Sequence, residues 1–232
     1  MPLACKVYEL DEPLSASEVM ARLRGFKRVK VERVEGEEVE VGIRVFNLER
    51  SVGGVRGVFE ESSTLIVEYR DRRLAVPHSI LTRFEFFRYR GRTLLIVLAG
   101  KRRADRIART LSDPLGVEIL DARIPSGKLR ELHERRPGSA RMVVFETLRL
   151  PGVKRLTLYG DAVSDTEVYR EYSSVGETRY VVFEAGGGLV VGVSTSCTIV
   201  AFSRIEEEDF VEFVKEVIIP LTKPVPTWRP TS

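Results

Sequence analysis

The strongest constraint on the fold is a run of five strand-like segments between two helical patterns in the first half of the chain. The segments are rich in β-branched and aromatic residues, and short turns containing Gly, Glu, Asp or Arg separate them, as in an antiparallel sheet. They read RVKVERV, EVEVGIRVF, STLIVEYR, ILTRFEFFRY and RTLLIVLAG. A strand, CKVYEL, and a helix that begins near Ser15 precede them, and the helix KRRADRIARTLS follows them. We therefore predict a strand, a helix, five strands and a closing helix.

The same order of segments begins again after residue 116. VEILD at 117–121 repeats the pattern of VYELD at 7–11, and the helix PSGKLRELHERR follows it. The five further strands and the closing helix read RMVVFETLRL, KRLTLYG, TRYVVFEA, GLVVGVS, CTIVAFS and EEEDFVEFVKEVI. Self-similarity at a fixed offset indicates internal repetition. We predict one repeat over 1–116, a second over 117–222 and a proline-rich tail over 223–232. The alternative is one mixed domain whose order of elements repeats by chance.

This layout resembles the saddle architecture of the TATA-binding protein fold, in which each repeat curls an antiparallel sheet under two helices. The passages that carry the resemblance are RTLLIVLAGKRRADRIARTLS and CTIVAFSRIEEEDFVEFVKEVI. The resemblance implies an α+β fold, a duplicated antiparallel β-sheet with helices on one face and a pseudo-two-fold axis. No family motif is matched, and this chain has one asparagine, Asn47, whereas TATA-binding proteins present asparagines to DNA. The resemblance therefore concerns fold and does not extend to DNA bending.

Composition narrows the class of protein and its cellular setting. Two cysteines, Cys5 and Cys197, and two histidines exclude a disulfide scaffold and a histidine-rich metal centre. The chain has no glutamine, and its 37 basic residues are mostly arginine, which predicts a thermophilic, archaeal source. No membrane-spanning run or signal-peptide pattern is present, so we expect a cytoplasmic protein without a membrane partner. The sequence does not exclude a disulfide between Cys5 and Cys197, because the cytosol of hyperthermophiles tolerates disulfides.

Positive charge is concentrated in one part of the chain. Residues 1–116 carry 22 basic and 17 acidic side chains, whereas residues 117–232 carry 15 and 17. Residues 70–109 contain twelve basic residues and only three acidic ones, Asp71, Glu85 and Asp105. TRFEFFRYRGR interleaves arginine with aromatic residues, a pairing that single-stranded nucleic-acid surfaces use for phosphate contact and base stacking. This strand and the helix after it are therefore the candidate nucleic-acid-binding surface.

The helix that follows this strand begins with Lys101, Arg102 and Arg103. Cations in a first helical turn oppose the helix dipole, and this end of a helix binds anions readily. The corresponding second-half helix instead begins with the acidic residues 206–209. The contrast favours a phosphate or an acidic partner at 100–109. The alternatives are a solvated helix compensated by acids such as those in VEGEEVE, or head-to-tail pairing of the basic and acidic helices between copies.

Candidate catalytic groups are few. We expect His78 to be exposed, His133 to lie at the edge of the core and Cys197 to be a buried structural thiol. EAGGGLVVG lacks the lysine of a phosphate-binding loop and indicates a hairpin turn, and NLERSVGGVRG indicates a mobile loop. Three acidic residues offer the oxygen ligands that Mg²⁺ or Ca²⁺ prefers, although their spacing matches no metal-binding loop; they are Asp161, Asp165 and Glu167. We assign no catalytic residue, cofactor or metal.

The sequence thus predicts a non-enzymatic protein that binds DNA or RNA through phosphate contacts. The predicted contact residues are Arg88, Arg90, Arg92, Lys101, Arg102, Arg103, Arg106 and Arg109, with Phe87 and Tyr89 as stacking groups. The alternative is a protein-assembly or adaptor module that docks an acidic protein partner, or itself, through the same helix. A third reading is a divalent-metal-dependent enzyme that uses the acidic cluster at 161–167.

Overall fold

The order of helices and strands follows the predicted order, with one additional helix in the second half. The computed structural model describes residues 3–34, 37–70, 72–135 and 139–225. The first half contains β1 (Ala4–Leu10), α1 (Ala16–Leu23), β2 (Lys27–Val34), β3 (Glu37–Ser51), β4 (Gly54–Tyr69), β5 (Arg72–Tyr89), β6 (Arg92–Val97) and α2 (Lys101–Leu115). The five strands expected between α1 and α2 are therefore confirmed.

The second half contains β7 (Ile119–Asp121), α3 (Ser126–Glu134), β8 (Ala140–Glu146), β9 (Arg155–Tyr159), α4 (Glu167–Val175), β10 (Glu177–Glu184), β11 (Val190–Ser194), β12 (Thr198–Ala201) and α5 (Glu207–Phe213). The additional helix is α4, which the sequence patterns do not predict. Thr166 caps it, since its hydroxyl accepts a hydrogen bond from the Tyr169 amide at 3.1 Å. The α+β class and the antiparallel pairing of the strands are confirmed. Of the predicted tail, residues 226–232 lie outside the described residues.

The chain forms two compact units. The first, here called the N-terminal unit, comprises residues 10–98 and 105–119, and the C-terminal unit comprises the remaining residues. This division is close to the predicted boundary at 116/117, but it assigns 1–9 and 99–104 to the C-terminal unit. In the N-terminal unit, β2 to β6 are neighbours in chain order and pair antiparallel. Its core holds buried aromatic and aliphatic side chains, among them Phe59, Phe84, Phe86, Ile107 and Leu111.

A tight turn connects β3 to β4 where the sequence indicated a mobile loop. Ser51 pairs with Gly54 across Val52 and Gly53, and Gly53 has a φ of 76°, a left-handed conformation that glycine adopts without strain. Gly54 lies directly against the neighbouring strand, because a Cβ atom there would lie 1.9 Å from the Phe86 carbonyl oxygen. The glycines of NLERSVGGVRG therefore serve a turn and a close strand contact.

Helix α2 crosses over β2, β3 and β4. Arg28, Ile43 and Glu61 are cross-strand partners in one row of these three strands. The two ends of the row pair with α2: Arg28 Nη2 lies 2.9 Å from Asp113 Oδ2, and Arg106 Nε lies 2.8 Å from Glu61 Oε1. Seven helical residues span about 10.5 Å, which matches the roughly 10 Å that separates β2 from β4. The helix axis is therefore directed across the strands at this row.

Beyond this row, β4 and β5 continue as a two-stranded ribbon. The pairing of β4 with β3 ends at Gly42 and Ser62, whereas its pairing with β5 continues to Tyr69 and Arg72. We call residues 63–69 and 72–78 the ribbon. Its length is about 23 Å, at roughly 3.3 Å per residue. An isolated two-stranded hairpin is marginally stable in water. The base of the ribbon contacts β2, because the Thr64 hydroxyl donates to Glu32 Oε2 at 2.8 Å.

In the C-terminal unit the strand order is β1, β12, β11, β10, β8 and β9, and β7 pairs with β1. This order departs from the simple succession of the N-terminal unit, because β8 lies between β9 and β10. Phe145, Phe183, Ile199 and Phe210 are buried in its core. Helix α3 contributes Leu129, Leu132 and His133 to the buried side chains of the same unit.

Candidate functional site

The predicted basic residues form two groups that the fold keeps apart. Arg88, Arg90 and Arg92 lie at the turn between β5 and β6, where Tyr89 pairs with Arg92. The six residues of β6 span about 20 Å, and α2 begins only after its far end. Within the N-terminal unit, Arg106 contacts Glu61, which lies seven residues along β4 from Gly54, the cross-strand partner of Phe87. The arginines at 88–92 therefore do not join Arg106 and Arg109 in one continuous surface.

The group at the β5–β6 turn offers little for base stacking. The side chain of Phe87 is only 7% exposed, so its ring packs in the core and is unavailable to a base. Tyr89 is half-buried, and the guanidinium carbons of Arg90 and Arg92 lie 5.3 and 5.8 Å from its ring centroid. Two cation–π contacts therefore already use this ring. Stacking by Phe87 is excluded on geometric grounds, and Tyr89 remains the one predicted stacking group.

The second group lies on α2. Lys101 and Arg102 are exposed and Arg103 is half-buried, and the first turn contains no acidic residue. The amides of Arg103 and Ala104 both donate to the Gly100 carbonyl at 3.0 Å, so part of the N-terminal amide set is satisfied within the chain. The contrast with α5 holds, because α5 begins with three acidic residues in its first turn.

A basic depression lies between α2 and β2. Arg106, Arg109, Thr110 and Asp113 follow one another on one side of α2, and Arg28 faces them from β2. Together they surround an open depression of about 360 Å³. We call this depression the arginine groove. Arg102 precedes Arg106 by four residues and therefore extends the same side of the helix.

Carboxylates form ion pairs with two of the three guanidinium groups of the arginine groove. Arg28 pairs with Asp113, and Arg106 makes a two-point contact with Glu61, at 2.8 and 3.1 Å. Arg109 donates from Nε to the Asp105 carbonyl oxygen at 3.2 Å, and no carboxylate within the described residues pairs with it. Because a guanidinium carries five N–H groups, Arg109 keeps most of its donors for a ligand. The site can therefore bind an anion without first breaking every internal pair.

The two internal pairs of the groove differ as competitors for an anionic ligand. The side chains of Arg28 and Asp113 are both more than half exposed. An exposed ion pair of this kind contributes about 0–1 kcal/mol, because solvent and salt screen it. The Glu61 side chain is only 17% exposed and makes a two-point contact, so it holds Arg106 more firmly. Three arginines against Glu61 and Asp113 leave the groove with a formal charge of +1, and a polyanion can displace Asp113 from Arg28.

Sequence reasoning missed the strand side of the groove. Arg28 and Asp113 are separated by 85 positions in the chain, and Arg106 and Glu61 by 45. The available signal was the alternation of Arg28 and Lys30 in β2, which places two cations on one side of that strand. Nothing local indicates that α2 passes over this side, since that depends on how the helix packs.

The other candidate residues do not form a catalytic site. His78 is exposed on β5, opposite Ser63, as expected. Cys5 and Cys197 are buried free thiols, and burial raises the pKa of the Cys5 thiol well above its ordinary value, which makes it unreactive. The acidic residues at 161–167 are spread over a short turn and the start of α4. Across the described ranges, no group of three or more His, Cys, Asp or Glu side chains is placed to hold a metal ion.

His133 is buried in a polar cluster, deeper than the core edge where it was expected. Its Nδ1 lies 3.1 Å from the Leu129 carbonyl oxygen, and its Nε2 lies 2.9 Å from the Tyr169 hydroxyl oxygen. The Tyr169 hydroxyl also donates to Glu134 Oε1 at 2.8 Å. Burial lowers the pKa of His133 and raises the pKa of Tyr169, because both charged forms lose hydration. The cluster is structural and connects α3 to α4.

This cluster predicts a loss of stability in weak acid. The unfolded chain binds a proton on His133 near pH 6.5 and the folded protein does so only at lower pH, so acidification below about 6.5 favours unfolding. We expect the melting temperature to fall between about pH 6.5 and 5, and to fall less steeply in His133→Gln. Thermal unfolding followed by circular dichroism across this range checks the difference. Equal slopes for the two proteins would contradict it.

Comparison with known proteins assigns the chain to no family. No protein-family model matches the chain, and no curated protein is significantly similar to it. Within the part of the chain that the structure describes, no helix is both long and apolar enough to cross a membrane.

Proposed function

We propose that the protein binds nucleic acid, without catalysing a reaction, through the arginine groove and the adjacent side of α2. The observation that carries the proposal is the groove itself, in which three guanidinium groups surround an open depression of about 360 Å³. Arginine is the side chain best suited to phosphate, because its planar donors match the phosphate oxygens. Arg102 extends the row along the helix, which gives a backbone four candidate contacts.

The proposed binding depends on phosphates and is independent of sequence. The two predicted stacking groups offer little to a base, since Phe87 is buried and Tyr89 already contacts two arginines. Contacts to phosphate fix the position of a protein on nucleic acid but carry no sequence information. We expect similar affinities for oligonucleotides of equal length and different sequence.

Salt dependence tests this proposal quantitatively. Four phosphate contacts predict a slope of about −3.6 for log affinity against log salt concentration on duplex DNA. Affinity should therefore fall about a hundredfold between roughly 50 and 200 mM salt. Fluorescence-anisotropy titrations of a labelled duplex at several salt concentrations measure the slope. A slope near zero would show that the groove does not bind phosphates.

The second candidate function is that of a protein-assembly module. The observation that favours it is the pairing of Arg28 with Asp113 and of Arg106 with Glu61, since carboxylates are already the partners of these arginines. An acidic protein, including the acidic helix α5 of another copy, would make equivalent contacts. Sedimentation velocity at low and high salt separates the two functions, because only assembly gives a salt-sensitive complex without nucleic acid.

We also infer an internal duplication with a TATA-binding-protein-like arrangement. The order of β1 to α2 and the order of β7 to α5 support it, since each comprises a strand, a helix, five strands and a helix once α4 is set aside. The position of β8 between β9 and β10 counts against a simple repeat. Superposition of the two halves of an experimental structure would test the inference. A thermophilic archaeal source and a cytoplasmic location remain predictions from composition.

A further inference from the structure

The three guanidinium groups of the arginine groove are held in three different ways. The Glu61 side chain is mostly shielded from solvent and contacts Arg106 at two points, which fixes that guanidinium. Arg109 pairs with no carboxylate among the described residues. Arg28 Nη2 contacts Asp113 Oδ2 at 2.9 Å, and both of these side chains are more than half exposed. Arg28 is therefore the groove arginine whose carboxylate partner a ligand can replace.

The charge of Asp113 is unfavourable for helix α2 itself. Asp113 lies in the last turn of this helix, which ends at Leu115. The C-terminal end of a helix carries partial negative charge and favours cations. The sequence of this turn, residues 112–115, contains no basic side chain that would offset the aspartate. Helix stability therefore does not explain an aspartate here, whereas the contact with Arg28 on the neighbouring strand does.

A second contact positions Arg28 independently of Asp113. The guanidinium carbon of Arg28 lies 5.5 Å from the centroid of the Phe26 ring, a cation–π contact. Phe26 is itself fixed by its backbone, because its N–H donates to the Leu23 carbonyl oxygen at 3.1 Å and its carbonyl oxygen accepts from the Val45 amide at 2.9 Å. Arg28 therefore stays at the groove, with N–H donors for a ligand, when the Asp113 carboxylate moves away.

The Asp113 carboxylate gives Arg28 the same kind of interaction that a phosphate gives. A guanidinium N–H that donates to a carboxylate oxygen at 2.9 Å makes a charge-assisted hydrogen bond, and phosphate oxygens accept in the same way. Asp113 and Arg28 both line the depression, together with Arg106 and Arg109. A phosphate bound in this depression therefore competes with the Asp113 carboxylate for Arg28 and also repels it.

We propose that Asp113 is an internal competitor of nucleic acid: its carboxylate occupies a phosphate position at Arg28, and a bound backbone displaces it. This role of Asp113 rests on the proposed function and adds to it a residue that sets the affinity of the groove. Because an exposed ion pair is weak, Asp113 lowers the affinity without preventing binding. Removal of the Asp113 charge should therefore strengthen the binding of nucleic acid, and should do so through Arg28.

The substitution Asp113→Asn tests the proposal, because asparagine has nearly the shape of aspartate and carries no charge. The matched control is Glu49→Gln. Glu49 Oε2 lies 2.9 Å from Arg56 Nη2, and both side chains are again more than half exposed, but neither lines the groove. Glu49 lies six residues along β3 from Ile43, the cross-strand partner of Arg28, which is roughly 20 Å. The control thus frees one arginine and removes one negative charge outside the groove.

Affinities for labelled single-stranded and duplex DNA and RNA are measured by fluorescence anisotropy at roughly 50 mM salt. On the probe that the wild-type protein binds most tightly, Asp113→Asn should gain about fivefold, the upper end of what an exposed ion pair contributes. Glu49→Gln should stay within about twofold of the wild type. Introduced into Arg28→Gln, the Asp113→Asn change should alter affinity by less than about twofold, because its partner is absent. If Asp113→Asn does not keep the wild-type circular dichroism spectrum, Asp113→Ser takes its place.

Several results would overturn the proposal. Unchanged or weaker binding by a folded Asp113→Asn variant would show that Asp113 supports the groove and does not compete for it. An equal gain in Glu49→Gln would show that net charge alone sets the affinity. A gain of the same size in the Arg28→Gln background would show that Asp113 does not act through Arg28. If the wild-type protein and Asp113→Asn bind none of the four probes, the proposed function itself fails, and this outcome is distinguishable from wild-type binding that Asp113→Asn leaves unchanged.

Discussion

Reversing the charges of Arg102 and Arg109 is expected to weaken binding to a labelled duplex about a hundredfold at roughly 50 mM salt. The substitutions Arg102→Glu and Arg109→Glu remove two phosphate contacts and add repulsion at the same positions. The slope of log affinity against log salt should fall by about two, because about 0.9 counterions are released per contact. Neither arginine pairs with a carboxylate among the described residues, so the folded state should be little affected.

A matched control separates the site from the overall charge. Arg149 and Arg204 are exposed residues of the C-terminal unit, and replacing both with glutamate changes the net charge by the same amount. We expect this control to lose less than about threefold in affinity, since neither residue contributes to the arginine groove and salt screens exposed charges. An equal loss in both double variants would mean that binding depends on the net charge of the protein and not on the arginine groove.

The second large effect is expected at Gly54. A Cβ atom there would lie 1.9 Å from the Phe86 carbonyl oxygen and 2.9 Å from Phe87 Cα, and both are backbone atoms of the neighbouring strand. Because β4 and β5 must separate to admit a methyl group, Gly54→Ala should destabilise the protein by about 3 kcal/mol. For a chain of this length the melting temperature should fall by about 6–12 °C.

Gly100→Ala is the matched control for this prediction. A Cβ at Gly100 would meet nothing within 4 Å, and its φ is not positive. Alanine at such a site restricts the unfolded chain and should change stability by less than about 1 kcal/mol. Thermal unfolding of the two variants under one buffer condition measures the difference. A melting temperature of Gly54→Ala equal to that of the wild type would contradict the close contact between β4 and β5.

The sequence predicts the strands between α1 and α2 because their alternation of apolar and polar residues is local. It fails at α4, where an acidic cluster obscures the short helical pattern of Val168, Tyr169 and Tyr172. Local sequence patterns do not predict the arginine groove, for a different reason. Arg28 and Asp113 meet only because α2 is directed across the strands, and no short-range pattern determines that direction.

Sequence proximity also gives a false impression of a single basic surface. The arginines at 88–92 and Arg106 are close in the chain, but Arg106 contacts Glu61, about 23 Å along β4 from the cross-strand partner of Phe87. Phe87 illustrates a related difficulty, since the alternation along β5 does not show that side chains on both faces of the strand are buried. The ribbon was missed because STLIVEYR reads as an ordinary strand, and only the pairing shows that its end extends beyond β3.

An anisotropy titration of the intact protein against four labelled oligonucleotides at roughly 50 mM salt tests the nucleic-acid function most directly. The four are single-stranded DNA, duplex DNA, single-stranded RNA and duplex RNA, of one length and unrelated sequences. We predict saturable binding to at least one of them, which Arg102→Glu/Arg109→Glu removes and the Arg149/Arg204 control retains. Absence of binding to all four at this salt concentration would contradict the nucleic-acid function and leave protein assembly as the role of α2.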